Sequence, residues 1–214
     1  MFEPSQLAVF ILASLGLLLL PGPAVLFIIA RSMHQGRKAG IVSVLGLEVG
    51  SLFQVLAATL GITAILLSSA LAFNIVKYLG AAYLIYLGIR KFRERDTAFE
   101  NDNQMQPASL KRVFGQGIMV NLLNPKTALF FLAFLPQFVN PAHGQAALQT
   151  FILGMIFVAL GTITDGGYAL LAGTFGQWLR RSRQLIKGQR YFAGTMFIGL
   201  GITAALSGNG SASN

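Results

Sequence analysis

Leu19-Leu20-Pro21-Gly22-Pro23-Ala24-Val25-Leu26-Phe27 aligns without a gap to Leu122-Leu123-Asn124-Pro125-Lys126-Thr127-Ala128-Leu129-Phe130. Both stretches lie inside long apolar runs, and both carry proline. Proline has no amide hydrogen, and its ring clashes with the carbonyl four residues back. Pro21 and Pro23 therefore release the carbonyls of Leu17 and Leu19, and Pro125 releases that of Asn121. In hydrocarbon an unpaired carbonyl is costly, so such a break has to face protein or a water-filled cavity. A simple kink tolerated by neighbouring helices is the plainer alternative for either stretch alone. The recurrence of the break is what gives the pair its weight.

The surrounding composition makes lipid the solvent. The 214 residues are 54% hydrophobic and 11% charged, with a mean hydropathy of +0.65. A soluble domain carries roughly 25% charged residues. A spanning helix needs about 20 mostly apolar residues, and six candidates are legible: Leu7–Ala30, Ile41–Leu67, Phe73–Ile89, Val113–Gln137, Ala147–Thr174 and Tyr191–Leu206. No charge lies between Glu48 and Lys77, so Ser68-Ser69 and Asn74 are the only turn signals there, and a tight hairpin is expected. Met1-Phe2-Glu3 lacks the positive leader of a signal peptide, so the first apolar run is expected to be retained as a span.

The net charge of +9 could suggest nucleic acid, but the basic residues cluster between apolar runs. Arg31, Arg37 and Lys38 follow the first span. Arg90, Lys91, Arg93, Arg95, Lys111 and Arg112 follow the third, and Arg180, Arg181, Arg183, Lys187 and Arg190 the fifth; these are 14 of the 16 basic residues. Lys77 on the alternate side can snorkel from a helix end. The positive-inside rule places loops one, three and five in the cytoplasm and both termini outside. The expected organisation is a first three-helix repeat (1–89), a cytoplasmic linker (90–112), a second repeat (113–206) and a polar tail (207–214). The third and sixth spans also align, Tyr78-Leu79-Gly80 with Tyr191-Phe192-Ala193. Each half has an odd number of spans, so the second enters from the opposite face. The result is an all-α membrane protein of two inverted repeats with proline-broken first helices, an architecture that places the site of many secondary transporters near the midplane.

The residues able to carry chemistry in the spans are few. Lys126 lies about a dozen residues into its span, where a lysine costs at least about 2.5 kcal/mol on insertion scales. A structural ion pair would explain it, but its place beside a helix break points to function. Glu48 and Asp165 are the only acids within the spans. Either could pair with Lys126 or carry a coupling proton. Asp165, deeper in apolar sequence, is favoured over Glu48, which sits nearer the cytoplasmic end. Ser51 and Gln54 could line a cavity or equally join two helices. Gly46 and Gly50 give a small-residue spacing that lets helices approach, within the chain or between copies as a homodimer. Tyr78, Tyr83, Tyr86 and Trp178 read as interface anchors. The chain has no cysteine, which excludes disulfides and thiolate sites. Its two histidines, His34 and His143, are expected in loops on opposite sides, so no metal site is expected. No cofactor motif and no catalytic motif is present.

In several places the sequence resembles the lysine-exporter superfamily, and specifically the homoserine/threonine-resistance (RhtB) type of amino-acid effluxer. The resemblance rests on Pro21-Gly22-Pro23 followed by Arg31-Ser32 and Gly36-Arg37-Lys38-Ala39-Gly40; on Gly46, Gly50 and Gly61; on Leu79-Gly80-Ala81-Ala82-Tyr83-Leu84 with Gly88; and on Gly115 to Asn121, Asn124-Pro125-Lys126 and Phe134-Leu135-Pro136-Gln137-Phe138. It covers most of residues 5 to 205. It implies export of amino acids or close derivatives across a bacterial inner membrane, driven by the proton-motive force. Glu48 stands where members often have a small residue, and Ser51 and Gln54 where many have an acid and a histidine.

For a zwitterionic substrate, Pro21, Gly22, Pro23, Asn121, Asn124, Pro125 and Lys126 form the expected binding set. Helix N-termini and Lys126 would meet the carboxylate, and Asp165 or Glu48 the ammonium or the proton. A passive small-metabolite channel would need a continuous polar lining. A non-transporting scaffold would leave the buried lysine and the paired breaks without purpose. An enzyme comes last, for lack of a nucleophile and base.

Overall fold

The computed structural model describes residues 2–68, 70–93, 107–140 and 145–181, with single positions between 191 and 205. The linker from 94 to 106, His143, residues 182–190 with Arg183, Lys187 and Arg190, the tail, and the side chains of Lys77, Tyr83, Trp178, Arg180 and Arg181 lie outside the described residues. All elements among the described residues are helical: α1 (Pro4–Leu18), α2 (Pro23–Gln35), α3 (Arg37–Ser68), α4 (Ala70–Arg93), α5 (Leu110–Leu122), α6 (Pro125–Leu129), a π-helical turn (Phe130–Phe134), a 3-10 turn (Leu135–Phe138) and α7 (Ala146–Arg181). The described positions from Tyr191 to Ala205 are helical as well.

Two helices are long and apolar enough to cross a membrane, over Arg37–Gly61 of α3 and Ala146–Gly173 of α7; counting each bent helix pair as one span gives four among the described residues. The bent pairs are those expected from proline. Pro4–Leu18 and Pro23–Gln35 meet at 52°, and Leu110–Leu122 and Pro125–Phe138 at 41°. Pro23 and Pro125 each occupy the first turn of the restarting helix, where a missing amide hydrogen removes nothing the helix would use. α3 ends at Ser68 and α4 begins at Ala70; of the expected hairpin at Ser68-Ser69, Ser69 lies outside the described residues. The gapless alignment does not hold through the breaks. Four residues, Leu19 to Gly22, separate α1 from α2, whereas two, Leu123 and Asn124, separate α5 from α6.

The helices are inverted relative to those of a soluble protein. Along α3, Ile41, Leu45, Leu52, Leu56 and Leu60 are exposed, while Ser43, Ser51 and Gln54 are buried. An exposed apolar stripe of that length is stable against lipid, and polar side chains turn inward. α3 is central and packs on α5, α7 and α2. Its crossing with α5 is close because glycines meet there. A Cβ on Gly46 would strike the Phe114 carbonyl, one on Gly50 would lie 2.8 Å from the Ile118 carbonyl oxygen, and one on Gly117 would lie 2.9 Å from that of Ser43. The Gly46/Gly50 face, considered above for a homodimer, is thus occupied within the chain.

A phenylalanine cluster fills the space between α1, the turns after α6 and α7. Phe130 stacks on Phe157 at 4.8 Å between ring centroids, and Phe10 meets Phe138 edge-on at 5.2 Å. Phe10, Phe130, Phe131 and Phe157 are among the largest fully buried side chains. Their packing holds the irregular turns of Phe130–Phe138 in place immediately after the second break.

Candidate functional site

At the first break, α1 ends with Leu18 and the chain runs through Leu19–Gly22 before α2 begins. The Leu20 amide turns back to the Leu17 carbonyl at 3.1 Å. Three carbonyls are capped by side chains from distant elements. Lys126 Nζ donates to Leu17 O at 3.2 Å and to Leu20 O at 2.9 Å. The Tyr168 hydroxyl of α7 donates to Leu19 O at 2.9 Å. The carbonyls of Leu17 and Leu19 are the two that proline chemistry singles out. The Lys126 stem lies along Gly22, where an added Cβ would be 3.5 Å from its Cε.

The second break repeats the logic with a neutral cap. The Asn124 amide turns back to Asn121 O at 2.9 Å. Gln54 Nε2, from α3, donates to Asn121 O at 2.9 Å and to Leu122 O at 3.2 Å. Around it the asparagines form a tight network. Asn121 donates from Nδ2 to Leu47 O at 2.7 Å and to Ser51 Oγ at 2.6 Å. Its Oδ1 accepts from Asn124 Nδ2 at 3.4 Å and from Thr127 Oγ1 at 3.3 Å. Asn124 Oδ1 caps α6 by accepting from the Lys126 amide at 3.1 Å. Asn121 and Asn124 are both buried, and their amides serve here to fasten α5 and α6 to α3.

The intramembrane charges gather at these breaks. Lys126 and Asp165 are both 7% exposed and act on one another electrostatically. Asp165 acts on Glu48 in turn, and the Glu48 carboxylate accepts a hydrogen bond from Ser51. The Glu48 carboxylate lies against Gly161, one turn before Asp165 on α7, with Oε1 3.1 Å from where a Cβ would stand. A polar thread therefore runs from Glu48 through Ser51, Asn121 and Asn124 to the start of α6, where Lys126 sits. Of the expected sets, Pro21, Gly22, Pro23, Asn121, Asn124, Pro125 and Lys126 lie at or next to the two breaks, while Asp165 stands on α7 and Glu48 on α3.

Two features, Tyr168 and Arg31, escaped the sequence. Tyr168 was not singled out, since nothing local in the sequence shows that its hydroxyl reaches Leu19. Gln54 was read as a cavity residue or a helix join, and it makes the join. Arg31, assigned above to a loop, lies within α2 and is buried. It donates to Gln35 Oε1 at 2.6 Å and Gln116 Oε1 at 2.8 Å, and stands 5.7 Å over the Phe27 ring. Gln35 Nε2 in turn donates to Ala108 O at 2.7 Å. These partners hold the two terminal nitrogens of a guanidinium that would otherwise be driven to the surface, so Arg31 stays within the helix rather than in the connection after it. His34, also expected in a loop, belongs to the last turn of α2.

The comparisons with known proteins bear on the family. The homoserine/homoserine lactone efflux protein of Salmonella typhimurium is 33% identical over 196 residues, which cover 92% of this chain and 94% of that protein. An uncharacterized membrane protein of Vibrio cholerae is 32% identical over 198 residues, covering 92% and 94%. The uncharacterized membrane protein YrhP of Bacillus subtilis is 32% identical over 202 residues, covering 89% and 94%. No solved structure matches the chain. The profile of the LysE type translocator family matches residues 15–208. A membrane protein with two proline-broken helices, a buried lysine and no catalytic constellation, this chain belongs to the LysE type translocator family and is a transporter, not an enzyme.

Proposed function

We propose that this protein exports amino acids or close derivatives, homoserine among them, from the cytoplasm across a bacterial inner membrane, driven by the proton gradient. The six spans form two inverted three-helix repeats, loops one, three and five are cytoplasmic, and both termini are periplasmic. The observation that carries the proposal is the capping of the helix breaks. The carbonyls of the first are held by Lys126 from the second and by Tyr168 of α7, and those of the second by Gln54 of α3. Side-chain caps of this kind can be exchanged for a ligand, whereas a kink closed by its own backbone cannot. The Salmonella relative named for homoserine efflux supports the substrate class.

In this account Pro21, Gly22 and Pro23 form one wall of the site and Asn121, Asn124, Pro125 and Lys126 the other. Asp165 carries the coupling proton, with Glu48 as the second acid in the same cluster. Rocking of one repeat against the other opens the site to each side in turn. Proteoliposomes loaded with radiolabelled L-homoserine provide the test. Protein-dependent release that is competed by other amino acids is expected. Release no faster than from empty liposomes for every amino acid tried would overturn the proposal.

A further inference from the structure

The two breaks present the same problem, and the protein solves it in two chemically different ways. At the second break a neutral amide, Gln54, caps two released carbonyls. At the first, an ammonium does so, at 3.2 Å and 2.9 Å. A buried lysine is the more expensive cap, because its charge must be taken from water. A glutamine of similar length would satisfy the same oxygens. Carbonyls at the broken end of a helix carry the negative end of its dipole and are suited to a cation.

Resting on the exporter reading above, we infer that the carbonyls of Leu17 and Leu20 are the docking site for the substrate's ammonium group, and that Lys126 is a tethered occupant which the substrate displaces. The exchange is ammonium for ammonium, so the charge in the site is conserved. The displaced Lys126 has an acceptor at hand, since Asp165 already lies within its field. Gly22 leaves the stem room to swing, because even an added Cβ there would make only ordinary contact at 3.5 Å. Ser14, one turn before Leu17 and Leu18 on α1, is fully buried with no partner for its hydroxyl among the described residues. A polar ligand at the break would provide one. The inference reverses the role expected for Lys126 from sequence, where it met the carboxylate.

The experiment measures binding of three probes to the purified full chain: L-homoserine, L-homoserine lactone (ammonium without carboxylate) and N-acetyl-L-homoserine (carboxylate without ammonium). The wild type should bind the first two and not the third. In Lys126→Gln, whose neutral amide holds the carbonyls more weakly than an ammonium does, both amines should bind about tenfold more tightly, because the internal competition that lowers apparent affinity is reduced. Loss of homoserine binding in Lys126→Gln with the lactone unchanged would overturn the inference and return Lys126 to the carboxylate. A parallel loss of both amines would overturn it too. Should that variant fail to fold, nitrogen-15 NMR of the lysine ammonium groups in the wild type decides the matter. The Lys126 signal, assigned with Lys126→Arg, should move on saturation with the lactone, and an unmoved signal would overturn the inference. Homoserine binding with an unmoved signal sinks this inference alone. A wild type that binds none of the probes sinks the exporter reading as well.

Discussion

Asn121 shows how few polar side chains carry the architecture. One residue donates to Leu47 O and Ser51 Oγ, and accepts from Thr127 and Asn124, while its own carbonyl takes the Gln54 amide. Removing one partner of a buried hydrogen bond costs about 1–3 kcal/mol. Asn121→Ala orphans several at once, so its thermal transition in detergent should fall well below that of Thr127→Ala, which loses a single 3.3 Å contact. An Asn121→Ala protein melting with the wild type would remove the fastening role. Asp165 belongs to a different category. It is buried beside Lys126 and Glu48, and Asp165→Asn is nearly isosteric. Efflux by Asp165→Asn should lose its acceleration by an imposed proton gradient, whereas Glu48→Gln should retain part of it. Full efflux by Asp165→Asn at every gradient would take the coupling proton away from this residue.

At the scale of elements, most of what was legible in the sequence came from proline and from hydropathy. Pro23 and Pro125 start helices where the covalent chemistry of proline says they should, and α3 ends at Ser68, the first of the two serines taken as a turn signal. The unread parts depend on distant partners. The π-helical turn at Phe130–Phe134 follows from packing of Phe130 and Phe131 on Phe157, residues some 26 positions apart. Sequence periodicity carries no such information. Likewise, proline named the carbonyls of Leu17 and Leu19 as needing partners, but not Lys126 and Tyr168 as the ones that come. Glycines were legible as packing residues, though not the helix each would meet. The α3–α5 crossing gives a sharp test. Gly46→Ala drives a methyl into the Phe114 carbonyl, and overpacking of this kind costs about 1–3 kcal/mol. Gly115→Ala, on the same α5 but with nothing within 4 Å of an added Cβ, should be neutral or stabilising by up to about 1 kcal/mol from helix propensity. Equal melting temperatures for the two variants would contradict the crossing.

For the whole molecule, the proposed orientation rests on the distribution of basic residues and can be tested directly. The chain has no cysteine, so single cysteines report accessibility without background. Lys38, Lys111 and Asn140 are exposed in the structure. With loops one and three cytoplasmic, Lys38→Cys and Lys111→Cys should react with an impermeant maleimide only after the membrane is opened, and Asn140→Cys should react in intact cells. The reverse pattern would invert the assignment. The account as a whole rests on coupled export, and one efflux measurement tests that most directly. Cells overproducing the protein are loaded with a mixture of amino acids, and the appearance of each outside is followed with and without a protonophore. Selective efflux of one amino acid or a small group, collapsing when the protonophore is added, is the predicted result. Efflux unchanged by the protonophore would contradict proton coupling and favour a passive channel, and no efflux of any amino acid would contradict the proposed function itself.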